Sequence, residues 1–204
     1  VGDQSHTLRR TPRAVHDRRS WRGRGGRWPA TYAVAAEHGL TARQVIATIV
    51  AALAAGAMWW VYFAYVPKVS ETALARRTGA QRAQLARDMF TFGHFPLVFG
   101  IVLFAVVAEH MLEHPYDELA ASDRWWLFGA VACYAGSLAL MRLRVTGKVS
   151  FERLGMIAAT AALCSLGANL TGVVLIGTVA VLFALTHALR YELYKREVAR
   201  GLSV

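Results

Sequence analysis

Charged side chains are scarce in this sequence, at 18% of 204 residues, where a soluble domain carries about 25%. Acids are scarcer still, with 13 Asp and Glu against 23 Lys and Arg. The charge that exists is gathered into clusters, and the stretches between them hold almost none. That pattern excludes an ordinary soluble globular domain. Cysteine is limited to Cys133 and Cys164, both inside apolar runs, which leaves two small packing residues and excludes a disulfide framework or a zinc ribbon. P-loop, Rossmann fingerprint, Ser-His-Asp order and zinc-finger spacing are all missing, so no cofactor is called for. No apolar segment follows the N-terminal arginines at the distance a cleavable signal requires.

What the sequence does have is apolar length. Hydrophobic residues make up 55% of the chain, and a hydrocarbon core about 30 Å thick takes roughly 20 helical residues to cross. Runs of that order lie near residues 45–65, 90–111, 125–141, 151–170 and 171–189. The expected fold class is therefore all-α, a polytopic transmembrane helical bundle of about five membrane-spanning helices over residues 36–204, behind a basic segment at 1–35. The first run, Val45 to Tyr65, ends in Trp59, Trp60, Tyr62, Phe63 and Tyr65, an aromatic belt at headgroup level. The run at 151–170 reaches spanning length only if Arg153 snorkels to the interface. Between the first two runs, Ser70 reads as the N-cap of a short helix interrupted near Gly79, either lying on the membrane surface through Leu74 and Leu85 or serving as a solvated connector. Ala52 with Gly56, and Gly129 with Cys133 and Gly136, fall at spacings that let helix backbones approach closely.

The segments at 69–88 and 142–153 and the C-terminal tail are basic, whereas 112–124 is acidic apart from Arg124. By the positive-inside rule the basic segments are cytoplasmic, which gives a multi-pass membrane protein with a cytoplasmic C-terminus. Five spans would then leave residues 1–30 outside, although they hold eight arginines and only two acids, Asp3 and Asp17. That conflict marks the first 30 residues as a misplaced or non-native stretch. The expected partners are the lipid bilayer and a small solute or ion, with a homo-oligomer compatible. Nucleic acid is not expected, because basic loops account for the charge.

Intramembrane ionisable groups are expensive and are the default functional candidates. His94, two residues before Pro96, is one, read either as a proton or ion relay or as an interfacial ring bonded to a carbonyl freed by the proline. Glu109 is another, 15 residues further on and so about 22 Å along the same helix, too far to pair with it. His187 reads as interfacial. His110, Glu113 and His114 match the H-x-x-E-H pattern of inverzincin hydrolases, where two histidines one helical turn apart bind zinc and the glutamate acts as base. Pro115 ends that helix at once, so the hydrolase is kept only as an alternative and the chain is expected not to be an enzyme.

From Ala36-Glu37-His38-Gly39-Leu40 onward the chain resembles the bacterial low-temperature-requirement A family. The resemblance rests on the Trp59-Trp60-Val61-Tyr62-Phe63 cluster, the basic loop after it, and R-D-M-F-T-F-G-H-F-P-L-V-F-G around His94, Pro96 and Gly100. It implies a multi-pass membrane protein, transporter-like or stress-associated, with a link to growth in the cold and no defined chemistry. Family members carry a segment similar to G-L-F-T-I-V-V-L-G-E upstream of the W-W-x-Y-F helix. Here that place holds Arg13 to Arg22, R-A-V-H-D-R-R-S-W-R, which a one-nucleotide shift of reading frame can produce. On this reading the chain is a C-terminal fragment with an out-of-frame N-terminus, and an inactive fragment is a further alternative.

Overall fold

The computed structural model describes residues 41–199. The basic segment at 1–35 and its reading-frame account lie outside the described residues. The described part is helical throughout: α1 Ala42–Ala75, α2 Gly79–Arg87, a π-helical turn Asp88–Gly93, α3 His94–Glu113, α4 Ala121–Thr146, α5 Phe151–Leu166 and α6 Gly172–Ala199. It forms an all-α helical bundle. Four of its helical stretches are long and apolar enough to cross a membrane: Ala42–Ala64, Gly79–Glu113, Ala121–Thr146 and Gly172–Leu193. The expected span at 151–170 is shorter, because α5 stops at Leu166 and its 16 residues rise only about 24 Å. It joins the bundle packed between α4 and α6.

The polar connector at 69–88 is not one separate short helix that starts at Ser70. Helix α1 runs on through Pro67 to Ala75, and Gly79–Arg87 feeds without a break through the π turn into α3. Ser70 is consequently no N-cap. It sits inside α1, and its hydroxyl donates to the Val66 carbonyl at 2.6 Å. Val66, Ser70 and Ala73 are all buried, spaced i, i+4 and i+7 on one face of the helix. That buried face carries the helix past a proline that local rules would treat as its end. The N-cap falls instead at Thr41, whose hydroxyl and amide share a capping box with Gln44,.

Helix α4 is the centre. Half of its apolar window is buried, against less than a third for the other three spanning stretches. It packs along α3 on one side and α5 on the other, while α6 packs against α1 and α5. Large apolar side chains on the outer faces stay uncovered, including Leu53, Trp59, Phe95, Leu140 and Leu185. Exposed apolar surface on that scale suits hydrocarbon as the surrounding solvent. At one end of the bundle the α3–α4 loop caps α6: Gly172 and Val173 donate their amides to the carbonyls of Asp117 and Pro115, meeting the orphan donors of a helix start.

Close backbone contact does not occur at the spacings that the sequence pointed to. A Cβ on Gly56 or Gly136 would meet nothing within 4 Å, and on Gly129 only Leu103 at 3.5 Å. A Cβ on Gly100 would lie 2.7 Å from the Ala130 carbonyl oxygen and 2.9 Å from the Tyr134 nitrogen. The α3–α4 crossing is therefore built on Gly100, where backbone meets backbone.

Candidate functional site

The site assembles where α1, the π turn and α3 meet. Pro96 has no N–H to return to the carbonyl one turn before it, and the wider π turn Asp88–Gly93 stands directly upstream. Such turns leave backbone carbonyls for side chains to satisfy. Ser137, from α4, bonds the Gly93 carbonyl. The His94 amide bonds the Thr91 carbonyl, and its ring Nδ1 lies 2.8 Å from the Met89 carbonyl. On the other side of the ring, His94 Nε2 is 2.7 Å from the Tyr62 hydroxyl. Phe90 stacks on the imidazole at 5.6 Å between centroids, and Tyr62 meets it edge-on.

This geometry assigns the proton. A backbone carbonyl only accepts, so Nδ1 must carry a hydrogen. In the neutral ring Nε2 is then a lone pair, and the Tyr62 hydroxyl donates to it. The carbonyl bond expected of an interfacial histidine exists, although to Met89. What the sequence did not disclose is that Nε2 is engaged too, by a residue of the aromatic cluster. His94 thus links α1 to α3.

Neighbouring residues of that cluster do the same for two other helices. Trp60 donates its indole N–H to His187 Nε2 on α6 at 3.0 Å. The buried Tyr134 hydroxyl of α4 donates to the Met58 carbonyl at 2.5 Å, with its ring edge-on to Phe183 of α6. Trp59, Trp60 and Phe63 keep exposed faces, as an interfacial belt would.

Glu109 stands toward the other end of α3, half-buried, and makes no ion pair or hydrogen bond among the described residues. The structure does not bring it to His94. A cavity of about 10 Å³ lies against Val61, Leu138, Arg153 and Phe183, room for about one water. A more open cleft of about 410 Å³ lies between the π turn and the end of α4, lined by Asp88, Phe92, Leu140 and Arg144 among others. Neither is lined by His94 or Glu109.

The H-x-x-E-H residues are drawn apart. His110 Nδ1 pairs with Asp123 at 3.1 Å, whereas His114 Nδ1 faces Asp117 at 3.6 Å. Helix α3 ends at Glu113, and His114 has already left helical geometry with φ −136° and ψ 70°. The i, i+4 face that a zinc pair needs is lost there. Among the described residues no group of three or more His, Cys, Asp or Glu side chains converges.

A buried charge cluster joins α4, α5 and α6. Arg142 of α4 bonds Glu152 of α5 at 2.6 Å, and both side chains are under a tenth exposed. Arg142 also reaches the fully buried Ser150 at 3.2 Å. Arg153 does not snorkel. It turns inward, is 5% exposed, and donates to the Leu138 carbonyl at 2.6 Å and to Ser150. The reason is local: Ser150 and the Leu138 carbonyl of α4 offer acceptors inside the bundle,. Arg190 of α6 completes the cluster, 3.9 Å from Glu152. The signal available in the sequence was Glu152 itself, an acid at the head of an apolar run with an arginine beside it. At the opposite end, Arg124 bonds the carbonyls of Leu119 and Cys164, placing a cation at the C-terminus of α5.

Comparison with known proteins places these features in a family. One relative, an uncharacterized protein of Rhizobium meliloti, is 35% identical over 65 residues, covering 29% of this chain and 14% of the relative. The chain thus spans a small part of that relative's length. No solved structure matches it. The sequence profile described as bacterial low temperature requirement A protein (LtrA) matches residues 29–188, a stretch that includes the aromatic cluster of α1, the π turn and His94, and the chain belongs to that family.

Proposed function

We propose that this membrane protein of the LtrA type is transporter-like, and that His94 with Tyr62 forms its proton-responsive element. The observation that carries the reading is the 2.7 Å contact between Tyr62 Oη and His94 Nε2, in a ring whose Nδ1 is committed to a carbonyl. A proton arriving at Nε2 makes both ring nitrogens donors. The Tyr62 hydroxyl must then accept from Nε2 and aim its own hydrogen elsewhere. One protonation therefore reverses a hydrogen bond between two helices without breaking their contact, which is what a relay step needs. In the π turn beside His94, Asp88 is already paired with Arg144 of α4 at 2.6 Å and with Arg87 at 3.8 Å. Glu109 is the second ionisable group of the same helix, serving the far side. The basic end of the bundle, with Arg144, Lys148, Lys195 and Arg196, faces the cytoplasm on this reading.

The test is proton flux into vesicles that contain the reconstituted chain and an entrapped pH-sensitive dye. An imposed pH gradient should decay faster than in empty vesicles, His94→Ala should abolish the difference, and Tyr62→Phe should slow it while leaving the fold intact. Flux indifferent to His94→Ala would make the residue structural and end the proposal.

A further inference from the structure

At the start of α5, among the described residues, Arg142 and Arg190 both approach one carboxylate, Glu152, beside the buried Ser150. That carboxylate is already taken by Arg142 at 2.6 Å, so Arg190 is left at 3.9 Å, beyond hydrogen-bond reach. Arg190 makes no hydrogen bond among the described residues, yet its side chain is only 22% exposed. A guanidinium has five N–H donors in a rigid fork, and those of Arg190 lack a protein acceptor without being sealed off, since no closed-off side-chain nitrogen goes unpartnered among the described residues. The remaining exposure shows that the fork is reachable from outside the bundle, whereas Arg142 and Glu152 behind it are closed. The same end continues as a basic tail, with Lys195 held by Glu192 at 3.1 Å and its ammonium pKa raised by that hydrogen bond.

We propose that Arg190, backed by Arg142, Ser150 and Glu152, binds a phosphate-bearing anion at the seam between α5 and α6. The excess positive charge supplies the attraction, and the planar fork matches two phosphate oxygens. Two sources share this chemistry: the headgroup of an anionic lipid, favoured where basic pockets open between helices at a membrane surface, and free phosphate from the aqueous side. Nothing in this site depends on the His94 relay.

The experiment uses the full chain in detergent, with native mass spectrometry against phosphatidylglycerol and phosphatidylcholine and thermal unfolding with inorganic phosphate. Wild type should prefer phosphatidylglycerol by about tenfold, the scale of one charge-assisted hydrogen bond. Arg190→Gln should remove the preference, and Arg190→Lys, which keeps the charge without the fork, should retain part of it and serves if the glutamine variant does not fold. Arg196→Gln, on the exposed tail of the same helix, should change nothing. A rise in the unfolding midpoint with inorganic phosphate that requires Arg190, without lipid preference, identifies the soluble source. Preference that survives in Arg190→Gln, or no response to either anion, overturns the proposal.

Discussion

Replacing Gly100 by alanine tests the reading of the α3–α4 contact directly. The added methyl would sit 2.7 Å from the Ala130 carbonyl oxygen and 2.9 Å from the Tyr134 nitrogen. Both are backbone atoms of α4 and cannot swing aside as a side-chain end would. Relief to ordinary contact requires the helices to separate by about half an ångström or more, and overpacking of that kind costs about 1–3 kcal/mol. Alanine recovers about 0.5–1 kcal/mol through its better helix propensity. The net expectation is a loss of about 0–2.5 kcal/mol, and about 1–3 kcal/mol relative to an alanine that gains the propensity without the clash. Gly136→Ala is the matched control on the facing helix, since its Cβ would meet nothing within 4 Å. It should be neutral or slightly stabilising. The assay is reversible unfolding in mixed micelles with increasing denaturing detergent, followed by tryptophan fluorescence. Equal midpoints for the two variants would refute the assignment of the close crossing to Gly100.

Two further predictions follow from the buried polar contacts. Glu152→Gln removes the charge that answers Arg142 where both side chains are under a tenth exposed, so the same unfolding assay should show a loss of about 3–5 kcal/mol. Combining it with Arg142→Met should recover much of that loss, and a double variant as unstable as the single would show that the pair is not the cause. Tyr134→Phe deletes the hydroxyl that donates to Met58 while that carbonyl keeps its place in the ladder of α1. The cost should be about 0.5–1.5 kcal/mol, and a variant indistinguishable from wild type would remove this bond from the account of how α1 is held to α4.

The helices, their order and the membrane setting were legible because apolar length is a local property. Contacts were not. Ala52 and Gly56 have the spacing of a packing stripe, but spacing does not say which face meets a neighbour, and a Cβ on Gly56 would touch nothing within 4 Å. Pro67 and Ser70 carry strong local signals for a break and a restart. Burial of Val66, Ser70 and Ala73 along one face overrides both. Arg153 looked like a residue that reaches outward, because an arginine near the end of an apolar run usually does. The acceptors that turn it inward belong to Leu138 and Ser150, one of them a carbonyl 15 residues away on another helix. No window of sequence displays that.

The candidate site shows the division most clearly. His94 stands out in the sequence by its own position, an ionisable ring beside a proline inside an apolar run, and it lies at the start of α3. Its partner was in view as well, but under a different description: Tyr62 read as part of an interfacial belt. A belt explains aromatic rings at a given depth, and it explains Trp59 and Phe63, whose faces stay exposed. It does not require a hydroxyl or an indole N–H pointing inward. Tyr62 and Trp60 have those, and they spend them on His94 and His187, while the Met58 carbonyl accepts from Tyr134. Three residues of α1 within five positions, Met58, Trp60 and Tyr62, therefore hold α4, α6 and α3 at once. The two sequence blocks that carry the family resemblance, one ending in Tyr62-Phe63 and the other centred on His94, are two halves of a single contact.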